Sequence, residues 1–193
     1  MLITLMKRGD KYKLRGNGMD DQLYLINERA GYGQDMARLV SMMDYARHTT
    51  IQEVECLTIE QLDYRFNDQA NSIGMLLAHM AAVEEVYQIL TIDKRDVTEE
   101  DEQKLHPALL LGPEGADIKG NSADWYLERL YTVRKQTMQA FSELDDGWLY
   151  EETEWWDGLP ANNYFKWFHV FEDEINHRGQ IRLIKKMLKR APF

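Results

Sequence analysis

Two histidines and one aspartate interrupt apolar stripes of the sequence, at positions from which all three could bind one metal ion. In the last long segment, Asp173 and His177 stand four residues apart among core positions, so both side chains share one helical face. His79 interrupts the stripe of an earlier segment in the same way. Burying an unpaired carboxylate costs on the order of several kcal/mol, so Asp173 requires a partner, either His177 or a metal.

Two imidazoles and one carboxylate form a three-ligand set that suits zinc, iron, nickel or manganese. Such a set leaves an open position, at which a metal can activate water or a thiol. From spacing alone, two simpler interpretations stay open. His79 can be an ordinary hydrogen-bonded core histidine, and Asp173 and His177 can form a plain ion pair.

Two polar residues on the last segment could support this site. Gln180 follows His177 by three residues and could orient a metal-bound water, or make a hydrogen bond at the end of the bundle. His169 lies one turn before Asp173 and about 80° round the helix from His177. We therefore predict that His169 flanks the ligands, with direct ligation as the alternative.

Arg134 interrupts the apolar stripe of the third long segment, and two interpretations stay open. It is either a paired or snorkelling arginine, or a cation in the cleft that binds an anionic substrate. Glu84 lies about 140° round its helix from His79 and is predicted to be solvated. Trp155 and Trp156 either pack against the bundle or cover the site as a lid.

Four long periodic segments must position these residues. Apolar residues at steps of three and four predict amphipathic helices over about residues 34–57, 71–92, 122–144 and 162–189. Ser122 is a candidate N-cap, and Thr58 is predicted to open a short helical turn. The polar connection 93–121 is predicted to hold one turn near 99–104, and 148–161 to form a structured loop. Together these elements predict an all-α antiparallel four-helix bundle with a long crossover loop.

Charge is unevenly distributed along the chain and argues against nucleic acid as a partner. The net charge is -10, and a negative field repels phosphate backbones. The first 18 residues carry five basic side chains against Asp10, a net charge of +4, which leaves -14 for the rest. We predict a basic N-terminal tail or extension over 1–20, either loose or in contact with a polyanion or partner, and a single domain over 21–193.

Apolar runs and cysteine content indicate a cytoplasmic protein without membrane contact. The apolar run 1–6 is too short for a signal sequence or a span, and no later segment has 18 uninterrupted apolar residues. The single cysteine, Cys56, excludes an intrachain disulfide and fits a reducing compartment. Cys56 is predicted to pack as a small apolar residue, with a reactive thiol as the alternative.

A second apolar stripe lies on the last segment, opposite the candidate ligands. It consists of Tyr164, Phe168, Phe171 and Ile175. One apolar face is enough for a helix of a monomer, so this second face needs its own cover. Burial under the tryptophan-rich loop or the first helix is one explanation, and a homodimer interface is the other.

The segments around the candidate ligands resemble two motifs of the DinB-like superfamily. Residues 72–84, Ser-Ile-Gly-Met-Leu-Leu-Ala-His-Met-Ala-Ala-Val-Glu, resemble its second helix, in which a histidine follows small residues and leucines. Residues 173–181 resemble its last helix, in which a ligand stands before a His-Arg-Gly-Gln run, here 177–180. The order of elements matches the superfamily over about residues 35–188.

The resemblance implies a DinB/YfiT-like bundle that holds one divalent metal through His79, Asp173 and His177. Many members have a third histidine in place of Asp173, and related thiol-dependent isomerases such as maleylpyruvate isomerases have a glutamate. Members of known activity use thiols such as bacillithiol or mycothiol. The implied function is a metal-dependent thiol S-transferase or hydrolase acting on a small molecule. The alternative is a non-catalytic stress or interaction protein with a structural or vacant site.

Overall fold

Four long helices form the bundle in the computed structural model, which describes residues 22–188 of the chain. The long helices are α1 (Gln34–Val54), α3 (Ile73–Tyr87), α5 (Ala123–Phe141) and α7 (Asn163–Leu188), and the shorter ones are α2 (Ile59–Asp63), α4 (Glu99–Leu109) and α6 (Asp146–Leu149). A π-helical turn, Gln88–Ile92, extends α3. The predicted all-α class is confirmed.

Side-chain caps at polar residues set where several helices begin. The Ser122 hydroxyl accepts from the backbone N–H of Trp125 at 3.2 Å, so the predicted N-cap of α5 is confirmed. Thr58 opens α2 by accepting from the N–H of Gln61, as expected. Ser72 caps α3 in the same way. Because these bonds satisfy N–H groups that have no partner within the helix, the starts of the helices follow from local sequence.

The helix α3 is the central element, packed against α4, α5 and α7, while α1 packs against α7. The segment Ile73–Ile92 is long and apolar enough to cross a membrane by composition, but 67% of its apolar window is buried inside the protein. A helix that is apolar on all sides can either cross a membrane or lie in the core of a protein. The bundle supplies that burial here.

The connection between α5 and α7 contains a small sheet that the sequence analysis did not predict. Strands β1 (Glu152–Glu154) and β2 (Pro160–Asn162) pair antiparallel, with Thr153 opposite Ala161. A 3₁₀ turn, Trp156–Gly158, joins them, and Gly158 adopts a φ of 72°. Strands of three residues are too short to show the alternation from which strands are predicted.

The helix α4 is longer than the single turn predicted, since it continues through Pro107 to Leu109.

Cys56 is exposed, so the prediction that it packs as a buried apolar residue is wrong. It lies two residues after Val54, the last residue of α1, in the connection to α2. The predicted basic tail, residues 1–20, lies outside the described residues, and the division into tail and domain stays a prediction.

Gly74 allows α3 and α5 to approach closely. A Cβ at this position would lie 2.5 Å from the hydroxyl oxygen of Tyr126 and 2.8 Å from its Cζ. Tyr126 is 1% exposed, so its ring has little room to move. We expect Gly74→Ala to destabilise the protein by about 1–3 kcal/mol in urea unfolding, although alanine favours helices. Gly179→Ala, where no atom lies within 4 Å of the added Cβ, is the control and should not destabilise. Equal stability of the two variants would contradict this packing argument.

Candidate metal centre

The candidate ligands converge from two helices onto one point of the bundle. His79 projects from α3, and Asp173 and His177 project from α7, with a ligand atom of each within 4.8 Å of the other two. The imidazole centroids lie 4.9 Å apart, with the rings nearly perpendicular at 83°. The structure therefore brings together the three side chains that the sequence singled out. Metal binding itself stays a prediction.

The contacts of Asp173 test whether these residues fit a metal ion. Its Oδ1 lies 3.2 Å from Nε2 of His177, and its Oδ2 lies 3.9 Å from Nε2 of His79. The second distance is too long for a hydrogen bond, and within the described residues Oδ2 is buried without a hydrogen-bond partner. An unsatisfied buried acceptor costs on the order of 1–3 kcal/mol. A cation between these nitrogen and oxygen atoms would remove that cost, so the donor set fits a divalent metal.

The end of α4 orients His79. Nδ1 of His79 lies 3.2 Å from the carbonyl oxygen of Ala108, in the last turn of α4, where carbonyls have no partner within the helix. A carbonyl only accepts, so Nδ1 donates its hydrogen there and the lone pair of Nε2 faces Asp173. Burial lowers the pKa of His79 in spite of the neighbouring Asp173 carboxylate, which raises it. The neutral imidazole that a metal requires is therefore the favoured form.

Gln180 contacts the second histidine. Its amide nitrogen lies 3.1 Å from Nδ1 of His177. His177 is buried, with 6% of the residue exposed. Rotation of the amide by 180° presents its oxygen instead, so Gln180 can hold either tautomer of the imidazole. If His177 binds a metal, Gln180 is in position to orient its imidazole. The expectation that Gln180 orients a water instead stays a prediction.

His169 lies beside the cluster and is not part of it. Its Nδ1 is 3.1 Å from Glu172 Oε2, and its ring centroid is 6.1 Å from that of Tyr87. The cluster does not include His169, and its flanking role stays a prediction. The sequence analysis did not single out Tyr87, whose ring contacts that of His169. The available signal was its position eight residues after His79, about 80° round the same helix.

Arg134 is buried in a network of charges, and the interpretation that it lines a cleft for an anionic substrate is wrong. Its exposure is 0%, and its Nε lies 2.7 Å from Glu84 Oε1 and its Nη2 3.4 Å from Glu174 Oε2. Arg47 lies 2.9 Å from each of the same two glutamates. These four residues, one from each long helix, are here named the four-helix charge network. The paired-arginine interpretation is the one that holds.

Glu84 was also predicted wrongly, since it is 0% exposed instead of solvated. Because other elements cover α3 on several sides, its face at Glu84 meets protein and not water. Burial alone would raise the pKa of Glu84, but Arg134 and Arg47 lower it to about 2, so the side chain stays ionised. Thr137 adds a hydrogen bond of 2.7 Å from its hydroxyl. The sequence signal for a buried Glu84 was Arg134, which needs an acidic partner when it is buried.

The second apolar stripe of α7 is covered only in part. Phe171 is buried, and Tyr164 stacks on Tyr150 at a centroid distance of 6.1 Å. Phe168 and Ile175 stay 44% and 39% exposed. Burial within the fold thus explains half of the stripe, and the homodimer stays a prediction. Trp155 is half-buried, with its ring centroid 5.6 Å from that of Tyr87.

The bundle and its cluster of two histidines and one carboxylate define a DinB-like protein. The model of the family described as Mycothiol-S-transferase matches residues 38–189, and the chain belongs to this family. The match includes all three candidate ligands. A solved structure described as a conserved protein from Enterococcus faecalis has a TM-score of 0.63 and 13% identity, covering 79% of this chain and 96% of that one. It supports the fold alone. No curated protein matches the chain.

Proposed function

We propose that this protein is a thiol S-transferase that depends on one divalent metal ion held by His79, Asp173 and His177. The supporting observation is that the three candidate ligand atoms lie within 4.8 Å of one another. The chain also belongs to a family described as Mycothiol-S-transferase. A bound metal with an open coordination position would lower the pKa of an incoming thiol, so that the thiol ionises near neutral pH. Zinc, nickel, iron and manganese all accept this donor set.

The charges of the three side chains suit a thiolate. With both imidazoles neutral and Asp173 ionised, the side chains contribute one negative charge, so a divalent ion leaves a net charge of +1. One thiolate would neutralise it, whereas three histidines would leave the buried site with a charge of +2 before the thiolate binds. Asp173 therefore lowers the electrostatic cost of the loaded site, since uncompensated buried charge is expensive.

The proposed transfer involves no change of oxidation state. The thiol sulfur forms a bond to an electrophilic carbon, and the bond from that carbon to its leaving group breaks. The leaving group departs with the bonding electron pair, and the thiol proton passes to the solvent. The thiol is a low-molecular-weight one of the mycothiol or bacillithiol type, and the other substrate is a small electrophile. Such thiols are reduced in the cytoplasm, where we place the protein.

Metal analysis and a thiol-adduct assay test this proposal. Protein purified without added metal should carry a divalent ion, and monochlorobimane with mycothiol or bacillithiol should give adduct faster than without protein. Removal of the ion by a chelator should stop the reaction, and adding the metal back should restore it. Protein that carries metal but gives no thiol-dependent turnover would favour the non-catalytic alternative, in which the site is structural.

A further inference from the structure

The two candidate histidine ligands differ in the polar groups that face them. Nδ1 of His79 lies 3.2 Å from the backbone carbonyl oxygen of Ala108, which can only accept a hydrogen bond. Nδ1 of His177 instead lies 3.1 Å from the side-chain amide of Gln180, which can either donate or accept. The contact of His79 therefore specifies one tautomer, whereas the contact of His177 specifies a tautomer only through the orientation of an amide.

In the structure, both neighbours of the His177 ring favour a hydrogen on Nε2. The atom of Gln180 that faces Nδ1 is the amide nitrogen, which donates, so Nδ1 presents its lone pair. On the other side of the ring, Nε2 lies 3.2 Å from Oδ1 of Asp173. An ionised carboxylate has no hydrogen to donate, so two lone pairs would face each other unless Nε2 carried the hydrogen. This arrangement suits an imidazole that binds no metal.

Metal binding would require the opposite tautomer of His177. Nε2 is the ring nitrogen that faces Asp173, and a metal binds the lone pair of a neutral imidazole, so Nε2 would have to lose its hydrogen. The hydrogen then belongs on Nδ1, which needs an acceptor. Rotation of the Gln180 amide by 180° brings its oxygen to Nδ1, and the side chain is exposed, so it has room to rotate.

We propose that Gln180 is the positioning residue that sets the tautomer of His177, and that its amide reverses when a metal binds. One proton leaves Nε2 for the solvent and Nδ1 takes one up, so the charge of the ring does not change. His79 needs no such exchange, because its Nδ1 already donates to the carbonyl of Ala108. This inference rests on the metal site of the proposed function and not on the transfer of a thiol.

Long-range proton–nitrogen NMR spectra of the full-length protein report the tautomer of each imidazole. At about pH 8.5, where histidines are ordinarily neutral, His177 of the metal-free protein should carry its hydrogen on Nε2. After titration with Zn²⁺ the hydrogen should be on Nδ1. His79 is the internal control and should carry its hydrogen on Nδ1 in both states. A metal-free His177 with its hydrogen already on Nδ1 would overturn the reversal.

Two substitutions of Gln180 test the role of its amide. An ionised carboxylate only accepts, so Gln180→Glu should hold the hydrogen of His177 on Nδ1 even without metal and should bind Zn²⁺ more tightly than the wild type. Leucine neither donates nor accepts, so Gln180→Leu should keep the Tm of the metal-free protein and bind Zn²⁺ about 10–100-fold more weakly. Competition with a chelator measures both affinities.

Gln103→Glu is the matched control for the added charge. Gln103 is exposed on α4 and lies outside the ligand cluster, so this variant should leave the tautomer of His177 and the Zn²⁺ affinity unchanged. Wild-type Zn²⁺ affinity in Gln180→Leu would overturn the role of Gln180. A wild type that binds no Zn²⁺ would overturn the metal site and this role with it. The predicted Gln180 effects without thiol-dependent turnover would overturn only the proposed S-transfer.

Discussion

The His177→Ala protein should lose its metal and retain its helices. Removing one of three protein ligands should lower metal affinity by more than the roughly 10–100-fold that results from changing a residue behind a ligand. The apolar packing of α7 along α1 and α3 does not depend on this imidazole. Plasma mass spectrometry and competition with a chelator measure the metal, and far-ultraviolet circular dichroism measures the helix content.

His106→Ala is the matched control for this experiment. His106 is exposed on α4 and lies outside the ligand cluster, so this variant should bind metal like the wild type. Because a bound ligand stabilises the folded state, added metal should raise Tm in the wild type and in His106→Ala and should leave Tm of His177→Ala unchanged. A His177→Ala protein that keeps a full complement of metal would show that the assigned ligand is wrong.

The Arg134→Met protein should be destabilised by about 3–5 kcal/mol, a large part of the 5–15 kcal/mol typical of a domain. The substitution removes one of two positive charges from the four-helix charge network and leaves Glu84 and Glu174 to share Arg47. An uncompensated buried carboxylate is the source of the cost. Urea unfolding followed by circular dichroism measures the change in the free energy of unfolding.

Two further variants separate charge from shape in this experiment. Lys135→Met changes the exposed neighbour of Arg134 on α5 and should alter stability by no more than about 0.5 kcal/mol. Adding Glu84→Gln to Arg134→Met removes the carboxylate left in excess, so the double variant should be more stable than Arg134→Met alone. A double variant whose losses simply add would contradict the proposed coupling.

The same network predicts an acid-sensitive part of the stability. Because Arg134 and Arg47 lower the pKa of Glu84 to about 2, below the ordinary value of 4.5 for a glutamate, folding favours the ionised form. The resulting stabilisation, about 3 kcal/mol, is present above pH 4.5 and is lost as the pH falls towards 2. Unfolding measured from pH 5 down to pH 2 should show this loss in the wild type and a smaller one in Glu84→Gln. Parallel pH profiles of the two proteins would contradict it.

Local sequence was sufficient to predict the helices and the candidate ligands. Steps of three and four residues fix which face of a helix is apolar, and hydroxyl caps such as Ser122 fix where it begins, since both depend on residues within one or two turns. The same periodicity placed Asp173 and His177 on one face and showed that His79 interrupts another. The sequence analysis did not predict the short strands β1 and β2 or the full length of α4, because their local patterns are weak.

The tertiary structure alone decided how polar groups on different elements pair. The His79 contact with Ala108 spans 29 residues, and the bond from Arg47 to Glu174 spans 127. Periodicity specifies that a side chain points inward but not which atom it meets from another helix, since that depends on the mutual rotation and offset of the packed helices. For the same reason Glu84 was assigned to solvent, Arg134 kept two interpretations, and the contact of Tyr87 with His169 was not predicted.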